Sequence, residues 1–140
     1  MKVNIIYWSG TGNTKAMADA IGQGAKSQGA EVREILVSDA SLADVKNVDR
    51  LAFGCPAMGQ EELEETEMRP FMDLANDYLT GKKVLLFGSY EWASGEWMDK
   101  WIEEVNETGA NLISDGLISY DYPDDDLINE CTDMGIKLCK

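Results

Sequence analysis

Five apolar runs of strand length recur along the chain, and a stretch with helical periodicity follows each of them. Residues 3–8 read as the first strand. Residues 13–28 set Ala16, Met17, Ala20, Ile21 and Ala25 near the helical period and end at Gly29, so they read as a helix. Residues 32–37 form the second strand, followed by a short helix around Asp44. Residues 51–55 form the third, ended by Pro56. A helix over 64–79 lays Met68, Phe71, Met72, Ala75 and Leu79 along one face. Residues 83–89 are the most continuous buried run and form strand four. A helix over 96–108, a strand over 111–120 broken at Gly116, and a helix over 124–139 complete the pattern. Strands alternating with helices over short connections specify a parallel sheet covered on both faces. The expectation is an α/β fold with a doubly wound five-stranded parallel sheet. It fills residues 1–140 as a single domain, without linker, repeat or low-complexity segment.

Sheets of this kind take ligands beyond the carboxyl ends of their strands, where strand order reverses. The loops after strands one, three and four are therefore the informative ones. The first joins strand to helix through Ser9, Gly10, Thr11, Gly12, Asn13 and Thr14. Two glycines free the backbone to curl, the side chains supply hydroxyls and an amide, and the helix N-terminus adds N–H groups at the positive end of its dipole. That arrangement suits a phosphate held without a cation. Neither a Walker loop nor a dinucleotide fingerprint is present, since Lys15 stands where the third glycine belongs. The plain alternative is a Ser/Thr-rich helix cap that binds nothing.

Charge removes several other functions. Twelve Lys and Arg stand against 26 Asp and Glu, with no histidine, for a formal charge of −14. No basic surplus exists to release counterions from nucleic acid or to bind an anionic membrane surface. The lack of histidine removes His-based triads, His-bearing metal sites and imidazole acid–base chemistry. No run approaches the ~20 apolar residues of a membrane span, and Met1-Lys2 leads straight into a strand, so neither a transmembrane helix nor a signal peptide is expected. Cys55, Cys131 and Cys139 are an odd set without CxxC spacing. They argue against a disulfide framework or zinc site and for reduced thiols in a cytoplasm.

The remaining loops test rival functions. A response-regulator receiver needs an acidic pair after strand one and an aspartate ending strand three, where this chain has Trp8-Ser9 and Cys55-Pro56. A phosphatase loop needs Cys-x5-Arg, but Glu61 stands at the arginine position, and no cation is at hand to activate the thiol. What the loops do offer is Met58, Gly59 and Glu61 after strand three and Trp92 after strand four. Met58 and Trp92 can sandwich a planar ring, and Glu61 can accept from a ring N–H; either apolar residue alone is more often simple packing.

Three segments then carry a family resemblance: Tyr7-Trp-Ser-Gly-Thr-Gly-Asn-Thr14, Gly54-Cys-Pro-Ala-Met-Gly59 with Glu61, and Gly81-Lys-Lys-Val84 leading into Phe87-Gly-Ser-Tyr90. With Trp92 and Gly95-Glu-Trp-Met98, the chain resembles the short-chain flavodoxins of anaerobic bacteria from Val3 to the last helix. The resemblance implies a flavodoxin-like sheet of order 2-1-3-4-5, non-covalent FMN, and low-potential one-electron shuttling between redox enzymes rather than catalysis. Carried over by position, Ser9, Thr11, Asn13 and Thr14, with backbone from Gly10 and Gly12, would hold the phosphate beside Trp8, with a hydroxyl from Ser89. Met58 and Trp92 would lie on the ring faces, and Glu61 would receive ring N(3)–H. Pro56, Ala57, Tyr90 and Glu91 would complete the cofactor-binding set. The Gly59 carbonyl would turn over on reduction to accept from ring N(5)–H, a movement glycine tolerates cheaply. Gln60 tolerates positive φ less well than Asn, Asp or Gly.

Acidity then acquires a mechanism: a pocket with carboxylates and no counter-cation opposes the second electron. A few kT of field is worth on the order of 100 mV. One departure stands out. Family members commonly carry Gly-Trp-Gly after the tyrosine, and this chain has Glu91-Trp92-Ala93, which bears on FMN affinity and potential. Two alternatives remain open: an FMN-dependent reductase or quinone reductase with a substrate cavity above the ring, and a flavodoxin-like domain with weakened FMN binding. Trp97 and Trp101, four apart, read as packing, and Cys55 as inert. The run 61–67 reads equally as a solvated helix N-terminus and as a docking face for basic redox partners. The expected working form is a monomer.

Overall fold

In a computed structural model, which describes residues 1–92 and 94–140, strands and helices alternate along the whole chain. They are β1 (Lys2–Tyr7), α1 (Asn13–Ser27), β2 (Glu31–Leu36), α2 (Ala43–Lys46) and β3 (Arg50–Gly54), then α3 (Met68–Ala75), β4 (Lys83–Tyr90) and α4 (Glu96–Asn106). Two short strands, β5 (Asn111–Leu112) and β6 (Leu117–Tyr120), precede α5 (Asp125–Leu138). All pairings are parallel, in the order β2-β1-β3-β4-β5. The expected order is the one found. The fifth strand is broken as its sequence indicated: β5 and β6 both pair with β4, on either side of Gly116 with its φ of +91°.

Because helices cover both faces, the central strands are buried at successive positions rather than at alternate ones. In β1, Ile5 packs with Met17, Ile21 and Cys131 under α1 and α5, while Ile6 packs with Phe53, Met68 and Trp101 under α3 and α4. In β4, Leu85 and Phe87 join the first cluster and Val84 and Leu86 the second. Each fully buried side chain of this size contributes roughly 1.5–3 kcal/mol. Trp97 and Trp101 are both buried in the second cluster, as their spacing on α4 implies.

One helix begins later than its periodicity suggests. The apolar pattern starts at residue 64, but α3 starts at Met68 and continues past Ala75 as a single 3-10 turn, Asn76–Tyr78. The cause is Glu64. Its buried carboxylate accepts from the backbone N–H groups of Thr66 (2.7 Å), Glu67 (2.7 Å) and Met68 (3.1 Å) and from the Thr66 hydroxyl. Residues 64–67 are thus the cap of the helix rather than its first turn.

Candidate functional site

The carboxyl ends of β1, β3 and β4 open into a cleft of about 340 Å³, at the lower end of the small-ligand range. Trp8, Gly10, Thr11, Asn13 and Thr14 form one wall, Pro56, Ala57, Met58 and Gly59 a second, and Ser89, Tyr90, Glu91 and Trp92 the third. The structure thus brings the three loops singled out in the sequence to one place. Ser9, Gly12 and Glu61 are not in the walls. Ala93 lies outside the described residues.

Ser9 and Gly12 shape the first wall from within. Gly12, at φ +97°, turns the chain into α1 and leaves the helix without a side-chain cap of its own. The Ser9 hydroxyl oxygen accepts from Gly12 N–H (3.2 Å) and Lys15 N–H (3.3 Å). The N–H groups of Gly10, Thr11 and Thr14 find no acceptor among the described residues, although Thr14 is buried. Thr14 is buried while Gly10 and Thr11 are exposed at the cleft wall, so the three donors are free to take an oxyanion. The Thr14 and Ser89 hydroxyls lie 3.1 Å apart and carry the donor set from α1 across to β4. No cation lines the cleft among the described residues, and Lys15 is held by Asp19 at 3.0 Å. Neutral donors at the positive end of a helix fit a phosphate.

Trp92 is 92% exposed, and it and Met58 line the cleft from the third and second walls. Tyr90 is fixed from behind by Trp97 at 5.7 Å and edge-on by Tyr120 at 5.5 Å. Met58 and Glu62 exchange both backbone hydrogen bonds, at 2.9 and 3.0 Å, closing a tight turn over Gly59. Two residues of this turn have positive φ: Gly59 at +53° and Glu61 at +58°, with Gln60 outside that region.

Glu61, expected at the ring N–H, is engaged elsewhere in this structure. Its Oε1 accepts from the N–H groups of Ser94, Gly95 and Glu96, each at 2.9 Å, and its Oε2 from the Ser94 hydroxyl at 3.0 Å. Gly95 at the N-cap of α4 has no side chain, so the cap comes from the neighbouring loop. Desolvation works against the charge, but these donors outweigh it and hold the carboxyl below its ordinary range. Glu61 therefore latches the second loop to the third.

Sequence reasoning passed over other residues that build the site. Asp121, left-handed at φ +58°, accepts from the Asn13 amide at 3.2 Å and donates its N–H to Tyr90 O at 2.7 Å. Glu67 accepts from the Trp8 indole at 3.2 Å. A local cue existed for Asp121, an aspartate before an exposed Tyr-Pro turn, but not for its partner on α1. Cys55 is buried and desolvation pushes its thiol up to about 12, in keeping with an inert residue.

A doubly wound parallel sheet with a phosphate cradle and a flat aromatic cleft at its carboxyl edge defines a mononucleotide-binding α/β protein. The flavodoxin family model matches residues 5–133. The chain is 46% identical over 133 residues to a flavodoxin of Megasphaera elsdenii, covering 95% of each, and 42% identical over 136 residues to one of Clostridium beijerinckii, covering 97% of this chain and 98% of that one. The solution structure of two-electron reduced Megasphaera elsdenii flavodoxin matches with a TM-score of 0.90 at 45% identity, covering 98% of each chain. The chain belongs to the flavodoxin family. It is an FMN-binding electron carrier, not an enzyme. Among the described residues, no helix is long and apolar enough to cross a membrane.

Proposed function

We propose that residues 1–140 form one FMN-binding domain that holds the cofactor in the cleft described above and passes single electrons between other redox proteins. The observation that carries this assignment is the unfilled donor set of Gly10, Thr11 and Thr14. It lies at the same sheet edge as two side chains suited to a planar ring. Thr11, Asn13 and Thr14, with Ser89 behind, take the phosphate, while Ser9 and Gly12 set the curvature that aims the amides. Met58 and Trp92 take the ring faces, Tyr90 stiffens the third wall, and Pro56 and Ala57 seat the second. Glu61 fixes the spacing between those walls through α4. Bound there, FMN supplies one-electron redox chemistry.

Glu91 lines the cleft and no Lys or Arg does so among the described residues. The wall thus opposes further negative charge on the bound ring and lowers the potential of the second electron. The open cleft mouth, with Trp92 almost fully exposed, suits a monomer that must meet several partners edge-on. The chain's charge of −14 selects basic partners. Three free cysteines support a reducing, cytoplasmic setting.

Titration of FMN and of riboflavin by quenching of their fluorescence tests the assignment. FMN binds more tightly than riboflavin by at least about a hundredfold if the donor set holds the phosphate. Equal affinities, or a protein left colourless by FMN, overturn it.

A further inference from the structure

We propose that Glu67 is a positioning residue for the cofactor phosphate: its hydrogen bond to the Trp8 indole holds that ring against Gly10 and keeps the Gly10 and Thr11 amides aimed into the cleft. This role rests on the reading of residues 9–14 as the phosphate cradle and adds what keeps that cradle in shape. In sequence Glu67 is one carboxylate of an acidic run, 51 positions beyond the cradle's final residue, Gly12 to Thr14 being its helical end.

Trp8 is the first residue beyond β1, and its N–H still donates to Gly54 O at 3.0 Å, so its backbone belongs to the sheet. Its half-buried side chain packs against the core under α3 and α4. The far edge of the ring lies over the first loop, with Cη2 and Cζ3 at 3.1 and 3.2 Å from the position a Cβ on Gly10 would take. The indole therefore fills the space that a side chain at residue 10 would need. That contact matters because Gly10 is exposed and a glycine has few steric limits of its own. Neither its N–H nor that of Thr11 has an acceptor among the described residues. A cradle left free to wander is ordered only when the anion arrives, at the expense of affinity.

The ring is fixed in turn by a single hydrogen bond, from Trp8 Nε1 to Glu67 Oε1 at 3.2 Å. Glu67 is a firm anchor. It stands at the N-cap of α3, and its own N–H donates to the Glu64 carboxylate at 2.7 Å. Its carboxylate pairs with no lysine or arginine among the described residues. An acceptor that carries charge makes the stronger hydrogen bond to the indole. The same charge, set beside the cleft, opposes a bound phosphate. Positioning and charge thus act on the phosphate with opposite sign, and substitutions that remove one or both tell them apart.

FMN and riboflavin are titrated by fluorescence quenching into the full chain and its variants, riboflavin reporting on every part of the cleft except the phosphate site. Glu67→Ala lowers FMN affinity about fivefold and leaves riboflavin within about twofold of the parent. Glu67→Gln keeps an acceptor oxygen while losing the charge, and binds FMN at least as tightly as the parent. Trp8→Phe keeps a ring over Gly10 without the N–H, and adding Glu67→Ala to it brings no further loss. In the FMN-free, 15N-labelled chain, order parameters at Gly10 and Thr11 fall in Glu67→Ala and hold in Glu67→Gln. Glu67→Ala binding FMN as tightly as the parent or tighter, or weakening both flavins equally, overturns the proposal. A parent that shows no preference for FMN over riboflavin ends the cradle reading instead; the order parameters of the FMN-free chain still decide whether Glu67 holds the loop.

Discussion

Gly88 lies where β4 passes closest to the exit of β3, and alanine there perturbs the floor of the cleft without touching a side chain that lines it. A Cβ at Gly88 would stand 2.0 Å from the Cys55 carbonyl oxygen, 2.9 Å from its carbon and 3.3 Å from Cζ2 of Trp97. Carbon and carbonyl oxygen need roughly 3.3 Å, so the peptide must retreat by about 1 Å. The two nearest atoms are backbone of Cys55, and no rotamer can absorb the shift. Overpacking of this kind costs ~1–3 kcal/mol. The retreat also breaks the buried bond from Trp97 Nε1 to Cys55 O, now 3.1 Å, which adds ~1–3 kcal/mol. The sum, roughly 2–6 kcal/mol, is a large share of the ~5–15 kcal/mol that holds a domain together. With a urea slope of ~1–3 kcal/mol per molar, the midpoint falls by roughly 1–3 M. Pro56 to Met58 hang from Cys55, and Ala57 N–H donates to Ser89 O at 2.9 Å, so two cleft walls move together. FMN affinity then drops by about tenfold, or ~1.4 kcal/mol. Urea unfolding followed by tryptophan fluorescence, paired with FMN titration, measures both. Gly12→Ala is the control: φ is +97° but no atom lies within 4 Å of the new Cβ, leaving only the left-handed penalty of ~1–2 kcal/mol. A Gly88→Ala protein within about 0.5 kcal/mol of the parent, binding FMN equally well, refutes the reasoning.

Burial first, and then the hydrogen bond and charge of Asp19, push Glu34 up to about 7. Between its ordinary carboxylate range and that value the folded chain keeps a proton that the unfolded chain has lost. The stability this supplies is complete at acid pH and disappears as pH rises through 7. Glu34→Gln removes that decline, and urea midpoints at about pH 5 and about pH 8 check it; a decline of the same size in the variant excludes the carboxyl. Glu61→Ala speeds hydrogen exchange at the amides of 94–96 and weakens FMN binding more than Glu61→Gln does, because glutamine retains an acceptor oxygen; identical exchange in both variants would falsify the latch. Glu91→Gly raises the potential of the second electron by roughly 20–60 mV, and an unchanged redox titration sinks that assignment.

The parallel sheet covered on both faces was legible because the pattern is redundant, while its strand order came from the family resemblance. Residues such as Ile5 and Ile6 are apolar on successive positions, and only a strand buried on both faces has use for that. The phosphate cradle was legible for a similar reason, since its glycines, hydroxyls and helix start are consecutive. Glu61, Glu64 and Glu67 were not. In sequence they are members of one acidic run; in the structure each satisfies a different set of donors, at residues 94–96, 66–68 and Trp8. Two of those partners lie more than thirty positions away, and no local pattern distinguishes them. The late start of α3 follows from the same cause. Asp121 was hidden more completely, since its bond to Asn13 joins the two ends of the fold.

A phosphate held in a chain of charge −14 is opposed at long range and favoured at short range, and salt separates the two. The donors of the first loop act over hydrogen-bond distances, well inside the screening length. The repelling carboxylates are spread over the surface, many beyond the ~10 Å screening length at 0.1 M salt. Raising ionic strength therefore removes repulsion while leaving the donors intact, and FMN binds more tightly. Partner association responds the other way, because its steering comes from those same surface charges. FMN titrations at about 0.02 M and about 0.5 M salt, beside cytochrome c reduction under the same conditions, read both signs in one series. If FMN affinity instead falls with salt in parallel with partner association, a cation holds the phosphate, and the uncharged cradle assigned to residues 9–14 is the wrong site.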